Sequence, residues 1–119
     1  MPLSKAQLAK AVSRQMENSV AAPLRALGED AAYMATVGVE DGEIDGMFSE
    51  RLSQLLSNLV GLHPRVRRAG ELKVSDDFHD LLYAIRHAIF ALGLARGILE
   101  AGGDPRDAMA DVSVTLEGV

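Results

Sequence analysis

Apolar residues recur in the first part of the chain with the spacing of one helix face. They are Leu8, Val12, Met16 and Val20. Side chains four residues apart lie above one another on a helix, and Ser4 is a suitable N-cap, so we predict a helix over residues 4–22. Pro23 has no backbone N–H and should kink or end this helix. A second helical stretch follows over residues 24–36.

Residues 35–48 carry three glycines and several acids, and their pattern is ambiguous. Asp41-Gly42 between Val37, Val39 and Ile44 is typical of a hairpin turn, but the glycines favour an acidic loop. Residues 41–52 also resemble half of a calcium-binding loop. The twelfth position, where such loops have a bidentate glutamate, is Leu52. We therefore expect an acidic turn without useful calcium affinity.

A stripe of leucines over residues 47–61 predicts another helix. Gly61 is a plausible residue to follow its end, and Pro64 should block any continuation. Residues 62–74 are then expected to form a basic connector.

Residues 76–101 form the strongest predicted helix, with Ser75 as N-cap and Gly102-Gly103 as its end. One side is apolar throughout, and from Ala88 onward the other side is apolar too. A helix that is apolar all round is buried all round, so we expect the central helix of the domain or one face of a subunit interface.

Asp104-Pro105 predicts one more helix, which continues to about residue 112. The tail alternates like a strand over residues 112–116. The chain is thus expected to be mainly α, a bundle-like single domain (residues 1–119) of four or five helices. A minor β-hairpin with a C-terminal strand, which would make the fold α+β, is the alternative.

The composition and net charge of the chain argue against several classes of function. The chain has 119 residues and a net charge of −5, which is poorly suited to a phosphate backbone, so we expect no nucleic-acid partner. It has no cysteine, which excludes disulfides, thiolate metal sites and cysteine nucleophiles. The longest uncharged stretch has 13 residues, fewer than the ~20 of a spanning helix, and no apolar leader is visible. We expect a cytoplasmic protein without membrane contact.

A polar ladder lies on the strongest helix. Asp80, Tyr83 and His87 share one side of the helical wheel, with His79 and Arg86 beside them. A carboxylate can orient an imidazole or bind a ligand with it. A hydrogen-bonded seam between helices uses the same residues. One helix offers too few ligands for a metal, so no metal or cofactor is assigned.

Two further groups suggest contacts with other molecules. Arg65, Arg67 and Arg68 could bind an anion or an acidic protein surface, although cations near a helix end are favourable anyway. The interface candidates on the strongest helix are Phe90, Gly93, Leu94 and Gly97. Small residues four apart let two helix backbones approach closely.

No nucleotide-binding, hydrolase or metalloprotease motif occurs in the sequence. We therefore expect a non-enzymatic helical module that forms a homodimer or binds another protein. A small-ligand, metal or phosphoryl-relay site built on Asp80, Tyr83 and His87 is the alternative.

Overall fold

The computed structural model describes residues 3–119, and within that range it contains four helices and no strand. The mainly α fold is confirmed. Met1 and Pro2, the first residues of the expected domain, lie outside the described residues. Helix α1 has three continuous segments, Lys5–Met16, Glu17–Ala21 and Ala22–Val37, of which the middle one is π-helical. Helix α2 likewise consists of Asp41–Glu43, the π-helical Ile44–Ser49 and Glu50–Ala69. Helix α3 is Leu72–Glu100, and helix α4 is Arg106–Glu117.

Helix α1 begins as predicted and does not end where predicted. The Ser4 hydroxyl accepts a hydrogen bond from the Gln7 N–H at 3.2 Å, and the Gln7 side chain accepts one from the Ser4 N–H at 3.0 Å. The predicted kink or end at Pro23 is wrong, because the helix continues through this residue. Glu17–Ala21 forms a π-helical turn, and Pro23 falls in the first turn of the α-helical segment that follows. At that position its missing N–H does not interrupt the helix.

The acidic segment is also helical. Only residues 38–40 connect α1 to α2, and Gly38 at the joint has a φ of 96°. Asp41 begins α2, whose second segment, Ile44–Ser49, is again π-helical and buries Ile44 and Phe48. The predicted acidic loop is therefore wrong. The segment that could alternatively have formed a hairpin is helical from Asp41 onward. The two buried side chains explain why the helix forms despite the glycines.

Helix α2 passes through Pro64 to Ala69, so the predicted end at Gly61 and the basic connector are wrong. Pro64 is exposed, and the stripe of buried residues continues on the opposite side of the helix. The stripe is Leu52, Leu55, Leu59, Leu62, Val66 and Ala69. Burial of the last three outweighs the lost hydrogen bond at Pro64. The helix ends at Gly70, in the left-handed conformation with a φ of 62°.

Helix α3 begins at Leu72, four residues before the predicted start, and Ser75 lies inside it. Val74 is buried and extends the apolar face toward the N-terminal end. The predicted end is confirmed by Gly102, which has a φ of 79°. The expectation that α3 is buried all round is wrong for the subunit, because Phe90 is 72% exposed and Leu94 is 53% exposed.

Helix α4 follows Asp104, whose carboxylate accepts a hydrogen bond from the Arg106 N–H at 3.0 Å. It continues to Glu117 and not to residue 112. The tail that alternates like a strand is helical, since Val112 and Leu116 are four residues apart and both are buried.

The four helices form a rod of 58 × 19 × 17 Å in which neighbours in sequence run antiparallel. Gln15 of α1 binds Arg65 of α2, and Asp45 of α2 binds Arg96 of α3. Helix α4 packs against α3 and against the Ala22–Val37 segment of α1. Because α4 is much shorter than the others, one half of the rod has four helices in cross-section and the other half has three.

Candidate functional site

The predicted polar ladder lies at the end of α4, where the four-helix half of the rod meets the three-helix half. Asp80, Tyr83 and His87 line a cavity of about 540 Å³ between α1, α3 and the last turn of α4. The volume falls within the ~300–1,000 Å³ typical of small-molecule sites. The cavity exists because α4 ends before it has filled the groove between α1 and α3.

His87 is fixed by two contacts and remains partly exposed. Its Nε2 lies 3.0 Å from a carboxylate oxygen of Asp111 on α4, and its ring stacks on Tyr83 with centroids 5.9 Å apart. The side chain of His87 is 34% exposed and that of Asp111 is 53% exposed. Tyr83 is 68% exposed, so this is no sealed seam between helices. The carboxylate that orients the imidazole comes from another helix and not from Asp80.

His79 and Arg86, the flanking candidates, do not line the cavity. His79 packs edge-on against Phe78 with ring centroids 5.7 Å apart, and Arg86 is exposed on the outward side of α3. The structure therefore gathers three of the five ladder residues at one site and leaves two outside it.

Sequence reasoning missed the walls that the other helices supply. Helix α1 contributes four residues and the end of α4 three, and α3 adds residues beyond the ladder. The wall residues of α1 and α4 are Ser13, Met16, Glu17, Ala21, Thr115, Gly118 and Val119. Nothing local in the sequence marks them, because they reach the site only through helix packing.

Glu17 at the cavity wall forms an ion pair with Arg25, two turns along α1. The hydrogen bond from the Arg25 guanidinium lowers the pKa of Glu17 below its ordinary value of 4.5, and the positive charge lowers it further, while partial burial opposes both. The same hydrogen bond raises the pKa of Arg25. Arg25 also donates a hydrogen bond to the Val119 carbonyl oxygen at 3.1 Å, which joins α1 to the end of α4.

The acids at the cavity favour a cationic ligand over an anionic one. Asp77, Asp80 and Glu17 all line it. No group of three or more His, Asp or Glu side chains within residues 3–119 is arranged to hold a metal ion. The suspected calcium segment is helical, so it lacks the loop that wraps a calcium ion.

The arginine cluster occupies the last turns of α2. Arg65 binds the side chain of Gln15 on α1, while Arg67 and Arg68 are exposed near the helix end, where cations are electrostatically favourable. The structure thus gives Arg65 a role in joining α1 to α2.

The four interface candidates are exposed together on the side of α3 that faces away from the core. Phe90 and Leu94 project there, and a Cβ added at Gly93 or Gly97 would meet no atom within 4 Å. Between Arg86 and Glu100 the one charged residue is Arg96, which binds Asp45 and Ser49 of α2. We call Phe90, Gly93, Leu94 and Gly97 the outward face of α3.

Helix α3 is also the one described helix that is long and apolar enough to cross a membrane by length and composition. Its most apolar 18-residue window has a mean hydropathy of 1.4, and 39% of that window is buried inside the protein. The core helix of a soluble bundle meets the same criteria, so this finding by itself is weak evidence.

Comparison with known proteins gives no further guide, since no family model, no curated protein and no solved structure matches the chain.

Proposed function

We propose that the protein is a non-enzymatic helical module that self-associates through the outward face of α3 and acts in the cytoplasm. The observation that supports this is the exposure of Phe90 and Leu94 beside two glycines with open space above them. Large apolar side chains grouped on one exposed face mark interaction sites more often than scattered ones do.

The chemistry of this face suits another helix. Gly93 and Gly97 are four residues apart, so they lie on one side of α3 and form a shallow notch beside Phe90 and Leu94. Small residues at this spacing allow two backbones to approach, and the neighbouring side chains then exclude water.

A substitution on the outward face tests this function directly. Leu94→Lys should convert the dimer to monomer, because it places a charge in the contact, while the fold remains since the side chain is exposed. Val60→Lys is the matched control, because Val60 on α2 is 54% exposed and lies on another helix.

The measurement is sedimentation velocity over a hundredfold dilution series that starts in the high-micromolar range. We expect the wild-type chain and Val60→Lys to approach twice 12.7 kDa and Leu94→Lys to remain at 12.7 kDa. Monomeric wild type throughout the series would overturn the self-association. Flotation with phosphatidylcholine–phosphatidylglycerol vesicles that depends on Leu94 would assign the face to a membrane instead.

A second function, a small-ligand site, is favoured by the cavity that Asp80, Tyr83 and His87 share. The carboxylates and the exposed aromatic ring favour an organic cation, because ammonium groups pair with both. Spermidine is a suitable probe for calorimetry. Saturable binding that Asp80→Asn abolishes without change in the melting temperature would support this site, and no binding would remove it from consideration.

A further inference from the structure

We infer that the partner on the outward face of α3 is a second copy of this chain, paired antiparallel about a two-fold axis that passes between Gly93 and Leu94. This pairing rests on the proposed self-association and specifies its geometry. The outward face carries both projecting side chains and open glycines, so it can complement itself.

The spacing of the residues fixes the register. In an antiparallel two-fold pair, residues equally distant from the axis on opposite sides face one another. Phe90 and Gly97 are equally distant from the midpoint of Gly93 and Leu94. Phe90 of each copy then lies over the open Gly97 of the other, and Leu94 of each copy lies over the open Gly93 of the other beside the axis. The exposed phenyl rings are thereby covered by the two positions that have room for them.

Charge complementarity supports the same arrangement. Arg86 and Glu100 are both exposed and have no ion pair within residues 3–119. They are 14 residues apart, nearly four helical turns, so they lie toward the same side of α3. In the antiparallel register Arg86 lies opposite residue 101 of the other copy, one residue from Glu100, so the two side chains are within reach of an ion pair. A parallel pair would place Arg86 against Arg86 and Glu100 against Glu100, which is unfavourable.

The contact area fits a weak, reversible dimer. The axis lies between residues 93 and 94, close to the end of α3 at Glu100, so at 1.5 Å per residue the two α3 helices overlap over about 20 Å. With a rod width of 19 Å, the overlap buries at most roughly 760 Å² in total, less than the ~1,000 Å² of a stable specific interface. We therefore expect a transient dimer with a dissociation constant in the high-micromolar range.

Charge reversal tests the register. Arg86→Glu and Glu100→Arg should each weaken the dimer about tenfold, because each brings like charges together, and the double variant should return to within threefold of wild type. Arg67→Glu is the control, since Arg67 is exposed on α2, and it should leave the dissociation constant unchanged. Circular dichroism verifies that every variant is folded.

Cysteine cross-linking provides an independent readout, because the chain has no native cysteine. Mixing Arg86→Cys with Glu100→Cys chains should give a cross-linked mixed dimer, whereas Arg86→Cys alone should not cross-link to itself. A dimer that Leu94→Lys dissociates, but in which charge reversal gives no rescue and Arg86→Cys cross-links to itself, overturns the antiparallel register and leaves the self-association intact. A wild-type chain that stays monomeric overturns both.

Discussion

Gly28 lies at a close contact between α1 and α4. A Cβ added there would lie 2.9 Å from the Cβ of Leu116, a fully buried residue of α4. Glycine in a helix interior is unfavourable by roughly 1 kcal/mol relative to alanine. At this position close packing outweighs helix propensity, so the glycine is the stable choice.

We therefore expect Gly28→Ala to lower the free energy of unfolding by about 1–3 kcal/mol, since α1 and α4 must separate. Gly61→Ala is the control, because a Cβ at Gly61 would meet nothing within 4 Å. It should raise the free energy of unfolding by about 0.5–1 kcal/mol. Urea denaturation of both variants measures the difference, and a stabilising effect at Gly28 would contradict the tight contact.

Glu17 gives a pH dependence of known sign. Its pKa is lower in the folded chain than its ordinary value of 4.5, so its stabilising contribution is fully present above pH 4.5. The contribution is lost as the pH falls through the folded-state pKa. Glu17→Gln should therefore melt below wild type at pH 7, with the gap closing at pH 3. Glu29→Gln, at an exposed position on the same helix, is the control. A gap that stays constant with pH would show that the ion pair with Arg25 contributes nothing.

At the scale of elements, α2 shows that a buried stripe overrides a local breaker. Its buried positions alternate between three and four residues apart from Leu52 to Ala69, and Pro64 lies on the exposed side. The helix therefore tolerates the missing hydrogen bond without disturbing the core.

Removing Pro64 should strengthen α2. Pro64→Ala restores a backbone donor and should raise the free energy of unfolding by about 1–2 kcal/mol, because the relief of a mid-helix proline exceeds the entropy returned to the unfolded chain. Pro23→Ala should have a smaller effect, since Pro23 lies in the first turn after the π-helical segment. Thermal melting of the two variants gives the order, and a larger gain at Pro23 would contradict it.

His87 and Asp111 join α3 to α4 in a contact that solvent reaches. Because both side chains are partly exposed, we expect their coupling energy to be about 0.2–1 kcal/mol. A double-mutant cycle with His87→Ala and Asp111→Ala measures this energy. A coupling energy above about 2 kcal/mol would instead indicate a buried contact from which water is excluded.

At the scale of the whole molecule, the rod is more extended than a compact domain. Its Cα radius of gyration is 16.0 Å, whereas a compact chain of this length would have about 13.5 Å. The other three helices all pack on the core side of α3, so its opposite side has no neighbour within the subunit.

Small-angle X-ray scattering distinguishes the ways in which two rods can pair. In the antiparallel register the two rods overlap over about 20 Å, so the dimer should have a maximum dimension of about 95 Å. Full side-by-side pairing would keep it near the 58 Å of one rod. A maximum near the shorter value would contradict the partly overlapped arrangement.

The sequence by itself determined the helical class, the cap at Ser4 and the end of α3, because periodicity and capping are local properties. It also placed Asp80, Tyr83 and His87 on one side of a helix. The apolar positions beyond Pro64 have helical spacing in the sequence, but the rule that proline ends a helix led to the wrong prediction there. Local rules failed at Pro23, Pro64 and the acidic segment, where burial of nearby apolar side chains outweighed a local preference.

Tertiary structure alone decided how the helices meet. The pairing of His87 with Asp111, the cavity walls from α1 and α4, and the exposure of Phe90 and Leu94 all depend on which helix lies beside α3 and where that helix ends. An apolar helix gives the same periodic signal whether its second face is covered by its own chain or left for a partner. The helix packing settles that question, because the other three helices all pack on the core side of α3 and leave its outward face uncovered within the subunit.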